Sequence, residues 1–299
     1  MTQKSLWVLT RQFSGVDDEL IGDGVRVVKI TNAIRSQIWE QNTYQIANWD
    51  LFYSGYNHAL VNTYDPNKKS DHEAEQEIIR ASIIVRIIKQ FSSGLHLVLK
   101  SESTRKNMGF AAHSRVGIGT ASYVCASDVN SWVTRNDIRK ARVMWPNIQT
   151  VCQQFATHRR ILRAIRFFEI GCSNCDGGIR IILFHSGVET LLCTSKEYNS
   201  QQVRQRVLAI CPQVSKEDVR DITEMRAGMA HSGAIVKKAK GREEELTQKL
   251  ERILRACLYH VLSDAESVEI FSDDEKLKRA LPVQVQEFVR TPTGVTIYV

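Results

Sequence analysis

The feature that most limits how this chain can fold is the helical spacing of its apolar residues between Thr134 and Leu262. From Asn147 onward, apolar residues recur every three or four positions on one face, at Ile148, Val151, Cys152, Phe155, Leu162, Ile165 and Phe168. The segment Ile179–Cys193 is apolar nearly all round, so neighbouring helices have to bury it. A central apolar helix among amphipathic ones predicts an up-and-down helical bundle.

Capping and breaking residues predict where the helices of this bundle begin and end. Asn136 or Asp137 is a candidate cap for a short first helix that Pro146 ends. Ser215 opens a sequence of the capping-box form, and the last long helix is predicted over Glu243–Leu262.

The first part of the chain has a different pattern. Short β-like runs cover Ser5–Val8 and Gly24–Ile30, a helix is predicted from Asp71 to Phe91, and Leu95–Leu99 has the pattern of a strand. The change of period predicts an α+β protein with three segments. These are an amino-terminal mixed α/β recognition or regulatory domain at 1–135, an all-helical bundle at 136–262, and a carboxy-terminal extension with a short helix and strand at 263–299.

Composition places the chain among globular proteins, with 43% hydrophobic and 24% charged residues. No apolar run approaches the roughly 20 residues that cross a bilayer, and no signal-peptide core follows Met1, so we expect a cytoplasmic protein without membrane contact. Seven cysteines without an export signal indicate reduced thiols. Cys172 and Cys175 have the spacing of metal ligands, but no second such pair exists, so neither metal nor cofactor is expected.

Positive charge is concentrated in the predicted bundle, where residues 136–262 carry 21 Lys and Arg against 13 Asp and Glu. An excess of this kind favours a polyanionic partner such as nucleic acid, although a solvated basic face is the plainer interpretation. Two groups of cations are the candidate phosphate contacts. One group is a stripe on a single helix face and consists of Arg159, Arg163 and Arg166. The other group lies in a loop and consists of Lys237, Lys238, Lys240 and Arg242.

Arg226 and His231 are the candidate catalytic pair. Arg presents a planar fork of donors that suits a phosphate, and His exchanges protons near neutrality. Residues five apart on a regular helix point about 140° away from each other. Both can therefore reach one phosphate only if the helix kinks or ends between them, which Gly228 and Gly233 would permit.

His185 and Glu189 are candidate supporting residues, because they lie four apart on the otherwise apolar segment Ile179–Cys193. The alternative for His185 is a satisfied core histidine. For Arg226 the alternative is a structural ion pair with Glu189 or Glu224.

Two stretches carry a family resemblance, Val188-Glu-Thr-Leu-Leu192 and Met225-Arg-Ala-Gly-Met-Ala-His-Ser-Gly233. With the helix pattern around them, they resemble the HEPN superfamily, and more narrowly its Apea-like domains, over roughly residues 147–262. Two positions depart from the family pattern. Ala227 stands where many active members have a polar residue, and Ser232 rather than Gly follows His231.

The resemblance implies a HEPN-type bundle and a metal-independent endoribonuclease that cleaves single-stranded RNA by attack of the ribose 2′-hydroxyl. Arg226 and His231 would be its catalytic residues, and two copies would face each other in a homodimer formed through the bundle. Bacterial defence or toxin-type RNA restriction would be its role.

Two other functions stay open from the sequence. A catalytically silent HEPN bundle would bind RNA or protein and use Arg226 and His231 structurally. A dimeric sensor or antitoxin-type partner would instead recognise a protein or small ligand through residues 1–135.

Overall fold

A computed structural model describes residues 3–10, 13–42, 57–89, 98–104, 107–114, 132–174, 176–232, 241–284, 288–290 and 296–298. The strands are β1 Gln3–Thr10, β2 Phe13–Ser14, β3 Asp18–Gly22, β4 Val25–Lys29, β5 His58–Tyr64, β6 Val98–Thr104, β7 Asn107–Ser114, β8 Val133–Thr134, β9 Phe288–Arg290 and β10 Thr296–Tyr298. The helices are α1 Asn32–Asn42, α2 Asp71–Ile88, α3 Arg135–Gln153, α4 Arg159–Ser173, α5 Gly177–Leu192, α6 Asn199–Ile210, α7 Lys216–Ser232, α8 Glu243–Leu262, α9 Ala265–Ser272 and α10 Asp274–Ala280. The predicted α+β class is confirmed.

A six-stranded sheet forms the amino-terminal part, in the order β3-β4-β5-β1-β6-β7, with every neighbouring pair antiparallel. Its central strand β1 is buried on both faces, because successive side chains point to opposite sides of a strand. Leu6 and Val8 belong to the main core, whereas Trp7 and Leu9 pack in a second cluster. Helix α2 lies against β5 and β1 and begins with a capping box formed by Ser70 and Glu73.

The predicted break at Pro146 is wrong, because α3 runs through this residue to Gln153. Thr134, rather than Asn136 or Asp137, caps the helix, and the side chain of Asp137 closes a capping box on it. A proline inside a helix removes one main-chain hydrogen bond. Buried residues on both sides of it, Trp145 among them, keep the helix packed, and the indole Nε1 of Trp145 also donates to Asp23 at 2.8 Å.

The long helix predicted from Asn147 is correspondingly two helices, α3 and α4, joined by turns at 154–158. Phe155, which the apolar periodicity places on the buried face, is 63% exposed in this connection. Buried His158 fixes the connection, since its Nδ1 lies 2.6 Å from the hydroxyl of Ser272 on α9.

Helix α5 lies at the centre of the bundle, as its composition predicts, and contacts α4, α6, α7 and α8. Gly187 allows a close approach to α8, because a Cβ there would meet Leu254 at 2.6 Å. The apolar core is continuous from the sheet through α2 into the bundle. A largely buried ion pair spans the same junction, with Arg86 Nη1 of α2 at 3.2 Å from Glu169 of α4.

Residues 263–299 contain α9, α10 and the antiparallel pair β9–β10, where the sequence predicts one short helix and one strand. The segment boundaries at 135 and 262 stay predictions. Within the described ranges, no helix combines the length and apolar character that crossing a bilayer requires.

Candidate functional site

Helix α7 carries both candidate catalytic residues and is anchored at its start. The Ser215 hydroxyl accepts a hydrogen bond from the Asp218 main-chain N–H at 3.0 Å, as the capping pattern predicts. Val219, Ile222 and Met225 are buried on the inner face of the helix. This packing places the residue after Met225, Arg226, at the edge of the contact between α7 and α5.

Arg226 is held by a carboxylate from α5. Its Nη2 donates to Glu189 Oε2 at 3.1 Å, and the Arg226 side chain stays 31% exposed. His185, one turn earlier on α5, has its Nδ1 3.6 Å from the same oxygen. His185 is only 2% exposed, and neither ring nitrogen has a hydrogen-bond partner among the described residues. The structure thus brings together three of the four residues singled out from the sequence for catalysis or its support.

The charge state of Glu189 follows from these neighbours. Burial alone would raise the pKa of its carboxyl, but the nearby ring of His185 and the guanidinium of Arg226 outweigh burial, so the pKa lies below its ordinary value. Glu189 is therefore a carboxylate at neutral pH and holds Arg226 through a charged hydrogen bond.

Replacing Glu189 by glutamine is expected to lower the free energy of unfolding by on the order of 1 kcal/mol at neutral pH. A folded-state pKa below the unfolded one stabilises the fold above the unfolded pKa, and this stability is lost as pH falls through the folded value. The gap between wild type and Glu189→Gln should thus narrow below about pH 4, as measured by urea unfolding across pH. Glu275→Gln, in a surface ion pair with Lys278, is the control and should change little. A gap that stays constant with pH would contradict this assignment.

No family model, curated protein or solved structure matches this chain. The HEPN resemblance over residues 147–262 therefore stays a prediction. This prediction depends on the stretches Val188–Leu192 and Met225–Gly233 and on the helix pattern around them.

His231 lies in the last turn of α7, and its side chain is outside the described set. The helix continues past it to Ser232, so it does not end between Arg226 and His231. On a regular helix the two positions therefore face about 140° apart. Gly228, a candidate point for a break, lies within the helix.

The predicted basic stripe is present on α4. Arg159, Arg163 and Arg166 are all exposed, and no carboxylate of the described residues is within ion-pair distance of them. Arg160, between them in sequence, is mostly buried and pairs instead with Asp274 at the start of α10. The stripe thus offers three solvated cations on one helix face.

The predicted basic loop lies mostly outside the described residues, which leave out Lys237, Lys238 and Lys240. Arg242, just before α8, makes ion pairs with Asp221 at 3.2 Å and Glu245 at 3.1 Å, and lies 3.8 Å from Asp218. Its charge is compensated, and its contacts tie the start of α8 to α7.

In the part of the chain that the structure describes, no group of three or more His, Cys, Asp or Glu residues has an arrangement that could hold a metal ion. Cys172 is buried, and burial together with the nearby carboxylates Glu251 and Glu169 raises the pKa of its thiol well above the ordinary value. Cys175, the other half of the predicted pair, is outside the described residues.

The sequence analysis missed the buried arginines of the described residues, which are Arg86 of α2 and two residues of the bundle, Arg180 and Arg206. Arg180 of α5 is 2% exposed, lies 3.4 Å from Glu251 and stacks over the ring of Phe184 at 5.8 Å. Arg206 of α6 is equally buried. The sequence signal that could have found them is an arginine inside an apolar run or on an apolar helix face. Such an arginine is buried with its neighbours, and a buried charge requires partners.

Proposed function

We propose that this chain is a metal-independent endoribonuclease of the HEPN type that cleaves single-stranded RNA, with a role in bacterial defence or toxin-type RNA restriction. The observation that carries the proposal is Arg226. It is partly exposed, is oriented by the carboxylate of Glu189, and precedes His231 by five residues at the end of α7. The exposed stripe of Arg159, Arg163 and Arg166 supports a polyanionic substrate.

The chemistry needs only proton transfer and charge stabilisation. The ribose 2′-hydroxyl attacks the adjacent phosphorus, the bond to the 5′-oxygen breaks, and the products are a 2′,3′-cyclic phosphate and a 5′-hydroxyl. His231 would exchange the proton with one of these oxygens, and general acid–base help of this kind contributes about 10² to 10⁴ in rate. Arg226 would stabilise the negative charge that develops on the phosphorane.

The continuity of α7 favours a site made by two chains. Because Arg226 and His231 face about 140° apart on one helix, a single chain does not direct both at one phosphate. A two-fold dimer that places two α7 helices across a cleft would let Arg226 of one copy act with His231 of the other. A homodimer formed through the bundle would thus bring Arg226 and His231 to the same phosphate.

Mixing two inactive variants tests this arrangement. Arg226→Ala and His231→Ala homodimers each lack one group in both sites, so neither should cleave. When the two variants are unfolded and refolded together, heterodimers form. Each heterodimer has one site with an intact Arg226 from one chain and an intact His231 from the other. We expect cleavage to return to about a quarter of the wild-type rate, because roughly half of the dimers are mixed and each has one good site.

The control for this experiment is the same pair of variants mixed without unfolding, which exchanges no subunits if the dimer is stable. Cleavage that stays absent after refolding, although wild type refolded alongside is active, would contradict a site shared between chains. A fully active monomer would contradict it as well.

A catalytically silent RNA-binding bundle is the second candidate, and the ion pair between Arg226 and Glu189 specifically favours it. In that case Arg226 would hold α7 to α5 rather than bind a phosphate. Titration with single-stranded RNA followed by gel analysis separates the two functions. Binding without products from the wild-type protein would support the silent bundle and contradict the ribonuclease.

A further inference from the structure

Arg206 of α6 is a buried cation held by uncharged groups. Its Nε donates to the Leu281 carbonyl at 2.9 Å, and its Nη1 donates to the Leu192 carbonyl and to Gln202 Oε1 at 3.3 Å. Its remaining contact is the hydroxyl of Thr194 at 3.5 Å. Within the described part of the chain, no carboxylate lies within ion-pair distance of this guanidinium, which is 2% exposed.

A buried charge without a counter-ion destabilises the folded protein, so a group of opposite charge is expected beside Arg206. Cys193 lies close enough to Arg206 to influence it electrostatically and could in principle become an anion. Burial, together with the charge of Glu189, raises the pKa of its thiol to about 12, so Cys193 is neutral at physiological pH. The positive charge of Arg206 therefore stays uncompensated by the described residues.

A pocket of about 310 Å³ lies beside this cation. Its lining comes from the connection between α5 and α6, from α6 itself, and from α10 and the segment after it. The lining residues are Thr194, Glu197, Tyr198, Arg206, Lys278 and Val283, with Ser195, Gln202 and Pro282. Nη2 of Arg206 makes no hydrogen bond to any described residue, so it is the donor left for a bound molecule.

The walls of the pocket are fixed by hydrogen bonds. The side-chain amide of Gln205 donates to the Gln284 carbonyl at 2.8 Å and accepts from the Gln284 N–H at 2.8 Å. Together with the bond from Arg206 to Leu281, this pairing holds the segment 281–284 against α6. Tyr198, with a positive φ of 55°, is in the left-handed region that costs a non-glycine residue about 1 kcal/mol. Backbone strain of this kind often accompanies ligand sites.

We propose that this pocket binds a small monocarboxylate with an apolar body. Of the other charged groups of the lining, Lys278 pairs with Glu275 at 2.6 Å. Glu197 is exposed to solvent, where water and salt screen its charge. One uncompensated positive charge matches one carboxylate, whereas a phosphate monoester carries about −1.5 to −2 and would leave excess negative charge. The ring of Tyr198 with Pro282 and Val283 offers apolar surface to the body of the ligand.

Calorimetric titration of the full chain with benzoate, benzamide and inorganic phosphate tests the proposal. Benzoate should bind saturably. Benzamide has the same shape without the charge, and phosphate has charge without the apolar body, so each should bind about tenfold more weakly or worse. Arg206→Gln should weaken benzoate binding to a similar degree.

Arg206 also donates hydrogen bonds to two main-chain carbonyls, so its replacement removes contacts that stabilise the fold. A second variant, which keeps these hydrogen bonds, therefore tests binding independently of folding. Tyr198→Gly removes the ring and suits the left-handed backbone, so the protein should fold while benzoate binds about threefold more weakly or worse. Phe155→Gly, which removes another exposed aromatic from a helix connection, should leave benzoate binding unchanged. No saturable binding of benzoate, phosphate binding more tightly than benzoate, or equal benzoate affinity in folded Tyr198→Gly and Phe155→Gly would overturn the assignment.

Discussion

Replacing His231 by alanine is expected to abolish RNA cleavage, with a loss of about 10² to 10⁴ in rate. Of the two proposed catalytic residues, His231 is the one that can exchange a proton at neutral pH, and water is a poor substitute for a positioned imidazole. His231 belongs to the last turn of α7, where truncation should change the free energy of unfolding little. Most of the RNA affinity should remain, because affinity arises mainly from phosphate contacts elsewhere.

The measurement is a single-turnover cleavage assay with labelled single-stranded RNA, with and without EDTA. His72→Ala is the matched control, since His72 is an exposed histidine on α2, and it should cleave as wild type does. Wild-type cleavage should persist in EDTA. Equal rates for His231→Ala and wild type would remove the Arg–His mechanism, and loss of wild-type activity in EDTA would indicate a metal nuclease.

Arg226→Ala should lose cleavage to a comparable degree. A direct effect on catalysis has to be distinguished from a loss of stability in this variant. Among the described residues, removing the guanidinium leaves Glu189 with only the buried His185 beside it, which destabilises a partly buried carboxylate. Arg226→Lys keeps the charge and loses the planar fork. A folded Arg226→Lys variant that cleaves poorly would assign the loss to phosphate recognition, whereas one that cleaves fully would show that charge alone suffices.

Local patterns predicted some features of the bundle. Glu243–Leu262 and the central position of α5 follow from apolar spacing, because burial of one face is the dominant stabilising contribution for such helices. The break at Pro146 failed because tertiary packing on both sides of the proline outweighed the loss of one hydrogen bond. The β3–β4 hairpin has a local signal in its Asp23-Gly24 turn, where both residues have a positive φ. The rest of the order could not be read from the sequence, since the pairings of β5 with β4 and β1, and of β1 with β6, join segments distant along the chain.

For the candidate site too, the sequence predicted some features and not others. Arg226 and Glu189 were both named from the sequence, and a pairing between them was one alternative, since chemically complementary groups are visible as residue types. The hydrogen bonds that hold Arg206 could not be predicted from the sequence, because the acceptors are main-chain carbonyls 14 and 75 residues away. Main-chain groups are present at every position, so no sequence pattern indicates which of them a buried arginine will find.

Reversing the charge of the stripe, by Arg159→Glu, Arg163→Glu and Arg166→Glu together, is expected to weaken single-stranded RNA binding strongly. Each phosphate contact releases counterions and contributes about −0.7 to the slope of log affinity against log salt. Losing three contacts should therefore flatten the slope by about 2 and cost about 10² in affinity near 0.1 M salt. All three side chains are exposed, so the fold should be unaffected.

The control has the same change of net charge at exposed positions on other parts of the surface, Lys68→Glu, Lys196→Glu and Lys216→Glu. Because salt screens distant charges within about 10 Å at 0.1 M, these scattered changes should reduce affinity far less and leave the slope almost unaltered. His231→Ala should keep the wild-type slope, since it removes no phosphate contact. If the stripe variant and the scattered variant lose affinity equally, RNA is attracted by net charge alone and α4 is not its binding face. If only the stripe variant loses both affinity and slope, the RNA lies along α4, and its path towards α7 can be followed by adding single reversals between them.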